Sequence, residues 1–227
     1  MTGIVIAIDG PSGVGKSTVA REVARRLGLA YLDTGATYRV TALACMREGV
    51  DLSREDDVVA MAETMNVEMV LDPDNPLVLF DGEDVSRILR SEAITGAVST
   101  VATNLEARAA LGRMQRDIIA AEVEGGFSGG AGVVAEGRDI TTVIAPDADV
   151  RVLMTADPEV RVARRAGEGV HTTVARLRSG ILDRDDADST VVNFQTAADG
   201  VVTLDTTDLT IDEAVQAVVD LAGEART

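Results

Sequence analysis

The chain has 227 residues, a length that suits one α/β domain with room for an inserted subdomain. Its net charge of −17, from 38 acidic against 21 basic residues, argues against a nucleic-acid partner, whose phosphates it would repel, but leaves room for a small nucleotide held by a local cluster of cations. Hydrophobic residues make up 46% and aromatics only 2%, with no Trp, so the expected core is built from Val, Ala, Leu and Ile. Cys45 is the only cysteine and lies in an apolar helical stretch, which reads as a core thiol in a reducing compartment. No 18-residue apolar run occurs and no signal segment is read ahead of the first strand, so a cytoplasmic protein without a membrane partner is expected.

Ile4–Ile8 is a continuous β-branched run, as in a strand buried on both faces. Asp9 ends it, and Gly10-Pro-Ser-Gly-Val-Gly-Lys-Ser17 follows, the G-x-x-x-x-G-K-[ST] pattern of a phosphate-binding loop. Apolar residues at 19, 20, 23, 24 and 27 then predict a helix over 16–27 with Gly28 as its stop. Leu29–Leu32 reads as a second strand closed by Asp33-Thr-Gly, and 36–48 as a helix. Ser53 and Asp56 resemble a capping box that starts a helix running to Thr64. Val67–Leu71 and Leu77–Phe80 are strand-like runs joined by an Asp-Pro-Asp-Asn-Pro turn, and they break the helix-rich alternation. Helices are expected over 92–102 and 105–123, with Ser91 and Asn104 as N-caps. Gly125–Gly132 reads as a flexible loop, Val133–Ala135 as a buried strand ending in Glu136-Gly-Arg-Asp139, and Asp149–Thr155 as another strand. Asp157-Pro158 opens a helix, 167–190 is polar and Arg- and Asp-rich, Val201–Leu204 is a last strand, and 211–222 a last helix.

This order predicts an α/β fold: a parallel sheet core of the phosphate-loop NTPase type flanked by helices, with an inserted subdomain carrying a small antiparallel sheet, and a short helical lid. The expected boundaries are 1–33 and 105–227 for the core, 34–104 for the insertion, and about 167–190 for the lid. In such a sheet ligands collect at the carboxyl ends of the strands, so Asp9–Ser17, Asp33–Gly35 and Glu136–Asp139 should converge.

Of the 21 Lys and Arg residues one is lysine, Lys16, and it sits in the loop. A slim ammonium can enter a tight loop and touch two phosphates where a planar guanidinium would not fit. The loop glycines let N–H groups converge on a β-phosphate, Lys16 reaches the β and γ oxygens, and Ser17 is the expected ligand of Mg²⁺. Without a second lysine the Asn-Lys-x-Asp guanine code of GTPases cannot exist, and no lysine is left for Schiff-base chemistry. A hydroxyl acceptor would need a general base, whereas a nucleoside monophosphate is already largely ionised near neutral pH and needs cations. Arg39, Arg90, Arg108, Arg138, Arg161, Arg165 and Arg184 are candidates for that work, as guanidinium forks grip phosphate oxygens two at a time.

Gly10–Thr18, Leu32-Asp-Thr-Gly-Ala-Thr-Tyr-Arg39, Asp81-Gly-Glu-Asp-Val85, Glu136-Gly-Arg-Asp139 and Arg184-Asp-Asp-Ala-Asp-Ser189 together resemble the bacterial cytidylate kinase family, in its motif order and over essentially the whole chain. The resemblance implies transfer of a phosphoryl group from ATP to CMP or dCMP with Mg²⁺. It implies ATP contacts from Gly10, Pro11, Ser12, Gly13, Val14, Gly15, Lys16, Ser17 and Thr18, with Arg161 and Arg165. On the acceptor side it implies Thr34, Tyr38, Arg39, Arg90, Arg108, Arg138, Asp139 and Asp188. Lys16, Arg138 and Arg184 become the expected catalytic residues, Arg184 bridging the transferring group. Nothing in the sequence demands more than a monomer.

The chain departs from the family pattern at two places. Val191 stands where the family continues its lid motif with arginine, and Thr141 stands where a glycine follows Arg-Asp-x. Two other readings stay open: a kinase of the same fold that phosphorylates a metabolite hydroxyl, with Asp33 or Asp139 as base, and a catalytically weak nucleotide-binding protein. His171 is given no role.

Overall fold

The computed structural model describes residues 3–167, 185–187 and 189–226. Among these, five strands form one parallel sheet in the order β2-β6-β1-β7-β8: β1 (Ile4–Asp9), β2 (Ala30–Asp33), β6 (Gly132–Gly137), β7 (Val150–Thr155) and β8 (Val202–Asp205). The side chains of β1 alternate between two cores. Ile4, Ile6 and Ile8 pack with Val19 and Val23 of α1 (Lys16–Leu27) and Val215 and Val218 of α7 (Ile211–Ala225), while Ala7 joins Leu32, Val133 and Ile119 on the opposite face. Both faces are covered, which is why the strand carries no polar residue before Asp9; burying Ile6 and Ile8 contributes about 2 kcal/mol each.

Between β2 and β6 the chain builds a second layer. Helices α2 (Thr34–Glu48), α3 (Glu55–Thr64), α4 (Glu92–Thr103) and α5 (Leu105–Glu124) pack with α2 on α4 and α3 on α5. Strands β3 (Val67–Val70) and β4 (Leu77–Phe80) pair antiparallel as expected, and a two-residue β5 (Glu83–Asp84), not foreseen from the sequence, completes a three-stranded sheet. Cys45 is buried in this layer beside Tyr38, Val58 and Leu111.

Ser91 and Asn104 cap α4 and α5 as expected, with Asn104 Oδ1 accepting from the N–H groups of Glu106 and Ala107. The capping box at Ser53 does not form. Ser53 donates instead to Asp51 Oδ1 at 2.8 Å, and α3 starts two residues later with Glu55, Asp56 and Asp57 facing its positive end. Helix α2 starts at Thr34 rather than 36, because Asp33 Oδ1 accepts from Ala36 N and so caps it from the strand end. The glycine-rich segment after α5 is a set of tight turns tied down by the buried Glu122 carboxylate, which accepts from Phe127 N at 2.8 Å and Ser128 N at 3.0 Å; its last residue, Gly132, already belongs to β6. Residues 140–144 form a single π-helical turn that the sequence pattern does not announce. Most of the polar stretch 167–190, with Arg184, Asp188 and His171, lies outside the described residues.

Candidate active site

Strand register brings three acids to one edge of the sheet. Asp9 pairs in register with Gly137, and Asp33 with Glu136, so β1, β2 and β6 end side by side. The phosphate loop leaves β1 here and turns into α1. Gly10 has φ +149° and its Cα faces the backbone of β7: a Cβ would stand 2.2 Å from Met154 O. Gly15 has φ +96° but faces open space toward the crevice. The first glycine is dictated by packing against the protein; the second keeps the loop concave for a ligand. Lys16 Nζ donates to Pro11 O at 2.8 Å, folding the side chain back over the loop. Burial pushes the ammonium down to about 8, against the pull of Glu136, with Arg138 adding repulsion.

The loop is braced from α6 (Pro158–Gly167). Arg161 Nη1 donates to Ser12 O at 3.1 Å, and Arg164 Nη1 donates to Val14 O at 3.2 Å while also holding Thr206 beyond β8. Asp185 completes the brace: it accepts from Ser12 N at 3.2 Å and pairs with both Arg161 and Arg138.

Glu136 is 5% exposed and accepts from Ser17 Oγ at 2.6 Å and from Tyr31 Oη at 3.2 Å. Burial raises its pKa and the Asp33 carboxylate raises it further, while Lys16 and Ser17 oppose the rise. The Ser17 hydroxyl and Glu136 carboxylate therefore form a pair of hard oxygen donors beside the loop. No cluster of three or more His, Cys, Asp or Glu suited to a metal occurs among the described residues. That donor set fits a cation that keeps waters and completes its shell with phosphate oxygens, as Mg²⁺ does, rather than one held in a protein cage. Asp9 works differently. It is 2% exposed and accepts from Ile140 N, Thr141 N and Thr141 Oγ1, anchoring the π turn that follows Asp139. Thr141, where the family pattern has glycine, thus supplies a hydroxyl to a buried carboxylate whose pKa burial has raised.

Two cavities meet at this edge. One is lined by Ser12, Gly13, Gly15–Thr18, Glu136–Arg138 and Arg165. The other lies between α2 and the β3–β4 hairpin, among Tyr31, Met69, Val78, Leu89 and Arg90. Asp33 and Arg39, paired at 3.1 Å, belong to both. The hairpin reaches the loop helix directly, as Arg21 and Arg25 of α1 donate to Pro73 O at its turn.

The expected site residues divide by position. Ser12, Gly13, Gly15, Lys16, Ser17, Thr18, Arg39, Arg138 and Arg165 line the loop cavity, and Arg39 and Arg90 the hairpin cavity. Gly10, Pro11 and Val14 shape the loop without lining it. Thr34 is buried and donates to Glu136 O at 2.8 Å, and Tyr38 is buried under the Arg108 guanidinium, 5.4 Å from its ring centroid. Arg108 and Asp139 pair with each other. Arg161 is buried and turned to Ser12 and Asp185. Glu136 and Asp33 were visible in the sequence as acids that close apolar strands and belong to motifs, Asp33 also as a possible base, but their roles beside the loop were not; Asp185 and Arg164 had no periodic signal for their contacts with the loop, which span 150 residues of chain or more.

A glycine loop at the carboxyl edge of a parallel sheet, one lysine in it and a hydroxyl beside a buried acid define a nucleotide-binding protein of the phosphate-loop class. The whole fold is similar to that of TT1252 from Thermus thermophilus, with a TM-score of 0.51 at 18% identity and full coverage of both chains. The sequence model of the cytidylate kinase family matches residues 6–224, and the chain belongs to that family. It is 43% identical over 220 residues to the cytidylate kinase of Cutibacterium acnes, covering 96% of this chain and 95% of the relative. It is 41% identical over 218 residues to that of Vibrio cholerae, covering 93% and 92%. Among the described residues no helix is long and apolar enough to cross a membrane.

Proposed function

We propose that this chain transfers the γ-phosphoryl group of ATP to CMP or dCMP, giving ADP and CDP or dCDP, as a cytoplasmic monomer. The observation that carries the reading is the shared wall of Asp33 and Arg39 between the loop cavity and the hairpin cavity, which would set donor and acceptor phosphates on either side of one guanidinium. In this reading residues 34–104 are the monophosphate-binding insertion, and 1–33 with 105–227 the core that holds ATP.

Lys16 and the loop amides hold the donor phosphates, and Ser17, with Glu136 behind it, would hold Mg²⁺, which supplies charge neutralisation between the β- and γ-phosphates. Arg39 and Arg138 face the acceptor phosphate, Arg108 and Asp139 set the floor beneath it, and Arg90 closes the outer rim. Arg184 and Asp188 belong to the same proposal by their motif. Phosphoryl transfer between nucleotides needs positioning and charge compensation more than proton removal. Both carboxylates that could serve a hydroxyl acceptor are engaged by arginines, Asp33 by Arg39 and Asp139 by Arg108, which favours the monophosphate.

A coupled assay of ADP formation tests this with a panel of CMP, dCMP, UMP, AMP and hydroxyl metabolites. Turnover with CMP or dCMP is expected to dominate. Turnover with a hydroxyl metabolite and none with a monophosphate, or ATP binding with no turnover on any acceptor, would overturn it.

A further inference from the structure

Arg138 lines the loop cavity, yet it follows the end of β6 with a long, jointed side chain. Among the described residues, two from a distant stretch hold it. Asp185 pairs with Arg138 Nη1 at 2.7 Å, and the guanidinium lies over the Phe194 ring, 4.4 Å from its centroid. Phe194 is 1% exposed and, among the described residues, belongs to none of the four hydrophobic clusters. The ring face is so placed that a cation–π contact holds the guanidinium. Asp185 has a second engagement. It accepts from Ser12 N while its partner Arg161 donates to Ser12 O, so one carboxylate–guanidinium pair fixes both backbone polar groups of a phosphate-loop residue.

We propose that Phe194 and Asp185 are positioning residues for Arg138, and that Asp185 couples the placement of this arginine to the shape of the phosphate loop through Ser12. The inference rests on the kinase reading above. Phe194 acts on Arg138: its ring face replaces water on one side of the guanidinium and leaves the donor edge for phosphate. Asp185 acts on both, so the arginine and the loop move as one unit. Ser12 N, spent on Asp185, is not among the amides offered to the nucleotide.

The test is a pair of double-mutant cycles on kcat and KM in the coupled CMP assay, with melting temperature followed for each variant. Phe194→Leu should lower kcat about 10- to 100-fold, the cost of misplacing a transition-state cation by about an ångström. In an Arg138→Met background the same change should cost less than about twofold, because the group it positions is gone. Asp185→Asn should lower kcat in the same coupled way, and it should also raise the KM for ATP in both backgrounds, because Ser12 is freed in both. Equal kcat losses in the two backgrounds would mark a general structural role and overturn the proposal, as would Phe194→Leu with unchanged kcat. If Phe194→Leu does not fold, the Asp185→Asn cycle decides alone: coupling of kcat to Arg138 upholds it and independence overturns it. An unmutated chain without CMP turnover would refute the kinase reading itself, a result distinct from uncoupled losses in an active enzyme.

Discussion

Raising the pH should weaken the hold on ATP and strengthen the empty protein, through one group. Lys16 has its pKa lowered to about 8 from 10.5, with burial as the main cause. In the free protein the protonated fraction falls about tenfold between pH 7 and 9, so kcat/KM for ATP should fall about tenfold across that range. Bound phosphates pull the proton back. Calorimetry in two buffers of different ionisation enthalpy should therefore show uptake of about half a proton per ATP near pH 8. The sign for stability is the reverse. The folded state binds fewer protons than the unfolded chain between about 8 and 10.5, so this group's contribution to stability rises with pH through that window, by up to about 3 kcal/mol. Lys16→Arg keeps its charge and should lose the alkaline limb at whatever lower activity it retains. Level ATP affinity from pH 7 to 9.5 together with no proton uptake at pH 8 would refute the argument that burial governs this lysine.

Other perturbations separate loop packing from ligand contact. Gly10→Ala should cost about 3 kcal/mol or more in denaturant unfolding, since its Cβ meets Met154 O, whereas Gly15→Ala should cost about 1 kcal/mol and mainly raise the KM for ATP. Thr141→Val should cost about 1–3 kcal/mol by stripping a hydroxyl from buried Asp9, read from the same unfolding curves. Glu136→Gln should raise the Mg²⁺ concentration for half-maximal rate about 10- to 100-fold, and an unmoved Mg²⁺ curve would remove Glu136 from the metal's surroundings. Val191→Arg should lower the KM for CMP; a flat or higher KM would mean that another residue has taken over the contact.

The strand, loop and helix that open the chain were legible because hydrophobic periodicity and the glycine–lysine spacing are local. Cys45 in the core, the β3–β4 hairpin and the caps at Ser91 and Asn104 were legible for the same reason. The reach of Asp185 to Ser12, across 173 positions, was not, because no pattern in a polar stretch says which of its many acids will be buried. Ser53 misled because a neighbouring acid, Asp51, offered its hydroxyl a closer partner than the helix end. Thr141 looked like a lapse from a pattern when read as sequence; beside Asp9 it is a donor that a glycine could not supply.

The solitary lysine also makes the protein unusually simple to label. Acylating reagents seek unprotonated amines, and at pH 8 only two chain positions should offer one in quantity: the α-amino group and Lys16. A single added mass on the peptide carrying Gly10–Ser17 would then report an empty donor site. Its disappearance on titration with a nucleotide would measure occupancy directly, with no chromophore and no mutation.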